Sequence, residues 1–155
     1  MNKPKLGSMH LSLKNLKLRP IMQELTQIIG FVKEIDKLKA VLRKTRPMGM
    51  ERYENSAEHS WQVTLAALML KDYAAQTVDI NRVIRMLLIH DLCEIDTGDV
   101  IVYDAVGEDH EQAEAAATKR ILGMLPNNMG DEYITLWHEF EADNSADARF
   151  AKALD

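Results

Sequence analysis

The segment Ile89-His90-Asp91-Leu92-Cys93-Glu94 sets one imidazole and two carboxylates in a short, otherwise apolar run. On a helix advancing about 100° per residue, with His90 at zero, Glu94 falls near 40° and Asp91 near 100°. On the same scale Val83, Leu87, Ile80 and Ile84 fall at roughly 20°, 60°, 80° and 120°. The three polar groups therefore leave the middle of the helix's apolar stripe, where ionisable side chains are costly unless paired or bound to metal. Ile89 and Leu92 on the opposite side predict a central helix packed on more than one face. His59 repeats the pattern: it lies one turn before Val63 and in line with Ala66 and Leu70. Two inward histidines and an inward aspartate form a mixed nitrogen and oxygen donor set, which suits zinc, manganese, iron, nickel or cobalt better than calcium. A single inward histidine is more often a hydrogen-bonded core residue. On spacing alone, a buried ion-pair network remains the alternative to a metal site.

These groups need elements to hold them. Beyond Pro20, an amphipathic stretch carries Leu25, Ile28, Ile29, Val32, Ile35, Leu38, Val41 and Leu42 at helical three-four spacing, and Pro47 and Gly49 close it. Asn55-Ser56-Ala57-Glu58 reads as a capping box opening a helix through Val63, Ala66, Ala67 and Leu70 to about Ala75. Asp79 can cap the next helix, which carries the His90 segment and ends at Thr97-Gly98-Asp99. Val100 to Val106 is β-like by propensity but has no strand partner nearby, so an extended loop is expected. Three more helices follow, over Asp109 to Leu125, Asp131 to Ala142, and Ala146 to the chain end. Pro126-Asn127-Asn128 and Asn144-Ser145 mark the breaks between them. Residues 1–16 read as a loosely ordered N-terminal extension, in which Gly7-Ser8-Met9 resembles a cloning scar. The expectation is one all-α domain over residues 1–155, a compact bundle of about six helices.

Composition narrows the function. With 19 basic and 24 acidic residues in a chain of 155, the net charge of −5 disfavours a surface that coats a nucleic-acid polymer. Cys93 is the only cysteine, so an internal disulfide framework and a cysteine-cluster metal site are excluded, and a reducing, cytoplasmic setting is expected. No apolar run is long enough to span a membrane, and the N-terminus lacks the apolar core of a secretory signal.

Four blocks occur in order: Glu58-His59-Ser60; His90-Asp91-x-x-Glu94; Thr97-Gly98-Asp99; and Leu136-Trp137-x-Glu139-Phe140-Glu141 leading to Ala151-Lys152-Ala153-Leu154-Asp155. Over roughly residues 31 to 155 this pattern resembles the HD-domain superfamily of metal-dependent phosphohydrolases, and within it the 5′-deoxynucleotidase branch. The resemblance implies an HD-like helical fold in which His59, His90, Asp91 and Asp155 hold one divalent metal ion: manganese, cobalt, zinc, iron, nickel or magnesium. It gives Glu94 a part in proton transfer, Asp99 a part in positioning water or the sugar, and Arg46 the substrate phosphate. Arg43, Lys44 and Arg52 lie close enough to compete with Arg46 for that role. The implied reaction is release of phosphate from (deoxy)nucleoside 5′-monophosphates by metal-activated water, in an enzyme that commonly forms homodimers. Two alternatives stand beside it: an HD-type hydrolase of a triphosphate, cyclic dinucleotide or alarmone, and a non-catalytic metal-binding helical module.

Two departures from the branch bear on these expectations. No tryptophan stands between Arg46 and Pro47, which leaves the preference between deoxyribose and ribose open. The chain stops at Asp155 whereas family members continue with a further helix, so the last helix is expected to be cut short and Asp155 weakly held. His110, in the acidic run Glu108-Asp109-His110-Glu111, is read as solvated, and His138 stands where the family has a non-ligand polar residue, so neither is expected to hold a second metal. Cys93, Trp61 and Trp137 are read as packing residues.

Overall fold

The computed structural model of the chain describes residues 6–100 and 107–155, with side chains from Leu18 onward. The helices are α1 (Leu6–Ile35), α2 (Ser56–Leu70), α3 (Ile80–Ile89), α4 (Glu94–Thr97), α5 (Glu108–Leu122), α6 (Met129–Ala142) and α7 (Ala146–Lys152). A 3₁₀ turn over His90–Cys93 joins α3 to the single turn of α4, so the two form one helical segment closed at Gly98. Counted that way, the described residues hold six helices and no strand, the all-α bundle expected from the periodicity.

Local signals account for most of the starts. Asn55 caps α2 by accepting from the Glu58 amide at 3.0 Å, while its own amide donates to the Glu58 carboxylate at 2.8 Å. Asp79 caps α3 and Ser145 caps α7. The first helix departs from expectation at both ends. It is helical from Leu6, within the stretch read as a loose extension, and it runs through Pro20. It stops at Ile35, short of Pro47, and tightens into a 3₁₀ turn over Asp36–Ala40. From Val41 the backbone is extended and pairs with Glu54 and with Ser56 at the start of α2: Arg43 N–H donates to Glu54 O (2.8 Å), Glu54 N–H to Thr45 O (3.0 Å) and Ser56 N–H to Val41 O (3.1 Å). A non-local antiparallel contact has replaced the last helical turns. The expected loop over 100–106 lies, from residue 101, outside the described residues.

The core gathers around α3, which packs against α2, α6 and α7. Val83, Met86 and Leu87 are fully buried together with Ala67, Ile121, Leu122, Ala148 and Ala151. Leu87→Ala is expected to lower unfolding free energy by about 2–5 kcal/mol, measured by urea denaturation, because close-packed neighbours cannot collapse into the void. Among the described residues no helix is long and apolar enough to cross a membrane.

Candidate metal centre

Three separate elements deliver the donor groups. His59 lies on the first turn of α2, His90 and Asp91 on the 3₁₀ turn, and Asp155 three residues past α7. All four residues of the 3₁₀ turn are buried, as expected of a central segment enclosed on more than one side. The indole N–H of Trp137 donates to the His90 carbonyl at 3.1 Å, satisfying an acceptor at the change of helix type.

One donor atom each from His59, His90 and Asp91 lies within 4.8 Å of the others. Asp155 closes the group, its Oδ1 lying 2.7 Å from His59 Nε2 and 3.2 Å from His90 Nε2. Asp91 Oδ1 is 3.1 Å from His90 Nε2. The structure thus brings together the four residues that the resemblance marks as ligands.

The fit to a cation can be read from the tautomers and charges. His90 Nδ1 lies 2.9 Å from the Leu87 carbonyl, which can only accept, so Nδ1 carries hydrogen and Nε2 faces the carboxylates. Burial pushes the His90 imidazole down, but Asp91 and Asp155 outweigh it and hold its pKa at about 9. Burial likewise pushes the Asp155 carboxyl up, yet the His59 and His90 imidazoles hold it well below the usual carboxylate range. The carboxylates thus favour positive charge among them, and these residues would hold a divalent ion. Two imidazole nitrogens with carboxylates against them form a donor set that suits a transition-metal dication.

Glu94 lies beside this cluster. Its carboxylate accepts from Ser56 Oγ at 2.5 Å, and burial and the nearby Asp91 charge push its pKa up to about 8. Asp99, half-buried just past Gly98, also raises Glu94 and so lies within electrostatic reach of it. Arg43 Nη1 donates to Asp91 Oδ2 at 3.0 Å, its side chain 19% exposed. Arg46 is placed differently: it is exposed, 3.6 Å from Glu51, with its guanidinium over the Tyr53 ring at 5.2 Å. The structure therefore brings Arg43, rather than Arg46, to the donor group. His110 pairs with Glu114 on α5 and His138 is exposed, so neither joins it. Cys93 is a buried free thiol, held by that burial in its neutral form.

Two site residues were not anticipated. Ser56 shares a helix face with His59 three positions on, a signal that was present in the spacing. Glu54, whose Oε2 lies 3.8 Å from His59 Nδ1 and 3.9 Å from Arg43 Nε, was signalled only by its place just ahead of the α2 cap; its approach to Arg43 comes from the antiparallel contact.

The fold and this group define an all-α domain with a two-histidine, two-aspartate centre inside the bundle. The HD domain family profile matches residues 35–155, and the chain belongs to that family. It is 30% identical over 138 residues to the human 5′-deoxynucleotidase HDDC2, covering 88% of this chain and 63% of the human one. It is 33% identical over 113 residues to the 5′-deoxynucleotidase of Vibrio cholerae, covering 65% and 58%. Among solved structures, a predicted metal-dependent phosphohydrolase from Magnetospirillum magnetotacticum superposes with a TM-score of 0.79 at 48% identity, covering 85% of this chain and 68% of that one. The chain thus spans about three fifths of the length of the curated relatives it matches.

Proposed function

We propose that the protein is a metal-dependent phosphohydrolase that releases phosphate from nucleoside 5′-monophosphates, deoxynucleotides among them. The observation that carries the reading is the gathering of His59, His90 and Asp91, with Asp155 Oδ1 against both imidazoles and Arg43 and Glu94 beside the group. The 5′-deoxynucleotidases among its relatives supply the substrate class.

In this reading His59, His90, Asp91 and Asp155 hold one divalent ion, which when bound neutralises phosphate charge and lowers the pKa of water. Arg43 spends one Nη on Asp91 and has further N–H groups to offer phosphate oxygens, which a planar guanidinium can bind in pairs. Glu94, protonated near neutrality, can hand its proton to the departing sugar oxygen. Asp99 takes the part of orienting water or the sugar. Attack is taken as direct: the neutral, buried Cys93 thiol is not a usable nucleophile, and the Ser56 hydroxyl is donated to Glu94. We place the protein in the cytoplasm on the strength of that lone free thiol.

Phosphate release from nucleoside 5′-monophosphates, with and without added divalent metal, tests the reading. The same assay assigns the phosphate arm. Arg43→Ala is expected to raise KM about 10- to 100-fold, the value of a charge-assisted hydrogen bond. Arg46→Ala is expected to leave KM within about twofold, as for an exposed surface pair.

The reading extends to a homodimer. Leu18, Ile21, Met22, Leu25, Ile28, Ile29 and Val32 form one stripe along α1, and every one of them is exposed. An apolar stripe of this length left open to water favours association, and a second copy would cover it. Sedimentation is expected to show a dimer, and Leu25→Glu with Ile29→Glu a monomer.

A further inference from the structure

We infer that Glu54 is a positioning residue of the metal centre, aligning His59 toward the cation and holding Arg43 beside Asp91. The inference rests on the metal-dependent reading above and concerns a residue outside the ligand set.

The backbone of Glu54 is locked on both sides by the antiparallel contact, its amide donating to Thr45 O and its carbonyl accepting from Arg43 N–H. It immediately precedes the cap residue Asn55, so its side chain is delivered at the mouth of α2, one turn from His59. The Glu54 side chain is only 12% exposed. Its Oε2 accepts from Thr45 Oγ1 at 3.1 Å and lies between Arg43 Nε at 3.9 Å and His59 Nδ1 at 3.8 Å.

An imidazole that offers Nε2 to a cation carries its proton on Nδ1. A carboxylate on the Nδ1 side favours that tautomer and makes the ring a stronger donor. At His90 the Leu87 carbonyl hydrogen-bonds this nitrogen at 2.9 Å; at His59 the Glu54 carboxylate faces it at 3.8 Å, beyond hydrogen-bond length, and acts through its charge. The second effect runs through Arg43. Its guanidinium faces Asp91 with Nη1 and Glu54 with Nε, so its charge is divided between two anions. Without Glu54, Arg43 would be balanced by Asp91 alone, drawing that carboxylate away from the cation. Both effects act on cation affinity, and neither requires Glu54 to touch substrate.

The test is a manganese titration of the full chain, following the electron paramagnetic resonance signal of free Mn²⁺, together with melting of the metal-free proteins. Glu54→Gln keeps the acceptor for Thr45 and removes the charge, and is expected to weaken Mn²⁺ binding about 10- to 100-fold. Thr45→Val disturbs the same loop but leaves the carboxylate, and is expected to bind Mn²⁺ like the wild type. Equal binding by Glu54→Gln and wild type overturns the inference, and so does equal weakening by Thr45→Val, which would reduce Glu54 to a loop support. If Glu54→Gln does not fold, Glu54→Asp is titrated instead, since it keeps the charge but draws it back from His59. Weaker Mn²⁺ binding then supports the inference and unchanged binding overturns it. A wild-type chain that binds no Mn²⁺ removes the metal-dependent reading itself, a result distinct from wild-type binding that Glu54→Gln retains.

Discussion

Asp91→Asn is expected to lower metal-dependent phosphate release by at least about a thousandfold, the equivalent of several kcal/mol of transition-state stabilisation. Asp91 is buried, with one carboxylate oxygen 3.1 Å from His90 Nε2 and the other 3.0 Å from Arg43 Nη1. The amide keeps the shape and removes the charge that faces the guanidinium and that, in the proposed function, faces the cation. Metal affinity should fall with activity, because the same group serves both. Circular dichroism should remain that of the wild type, since Val83, Met86 and Leu87 of α3 are untouched. Phosphate release within tenfold of the wild type at saturating metal would show that Asp91 is not part of the machinery.

Glu94→Gln is expected to separate chemistry from binding. Gln can still accept from Ser56 Oγ, and Glu94 is not one of the donors gathered at His59, His90 and Asp91, so metal affinity and KM should hold. Loss of the transferable proton should lower kcat about 10²- to 10⁴-fold. The same variant carries a stability signature in the metal-free protein. Burial first, and then the Asp91 charge, raise the Glu94 pKa from an unfolded value of 4.5 to about 8 in the folded chain. The folded state therefore holds this proton more tightly, and stability is lost as pH rises from the unfolded value through the folded one. Gln does not titrate. Metal-free Glu94→Gln should thus melt higher than the wild type at pH 8 to 9, with the difference shrinking as pH falls toward 4. Equal melting at both ends would remove the burial argument for a protonated Glu94.

Much of this was legible in the residues because it is local. Asn55 with Glu58, and Asp79, announce helix starts by chemistry confined to one turn and cap as expected, and Ser145, read as a break, caps α7 as well. Val83 and Leu87 mark the face of α3 that carries His90 inward, and one helical segment suffices to set His90, Asp91 and Glu94 together. What was not legible is non-local. Leu38, Val41 and Leu42 continue the helical spacing of α1, yet the chain leaves the helix because Val41–Thr45 finds a backbone partner at Glu54–Ser56. That contact carries Arg43 to Asp91, leaves Arg46 on Tyr53, and places Glu54 behind His59. No periodicity encodes it. Asp155 is the limiting case: local spacing says nothing of a partner 96 residues away, and only the four-block family pattern pointed to it.

The most direct test of the account is phosphate release by the wild-type chain from a panel of nucleoside 5′-monophosphates with manganese, cobalt, zinc or magnesium, run beside Asp91→Asn. The account predicts release that requires added metal, is abolished by a chelator and is absent from the variant. Bound metal without release from any monophosphate would contradict it, and would turn the reading toward other nucleotides or toward a metal-binding module without catalysis.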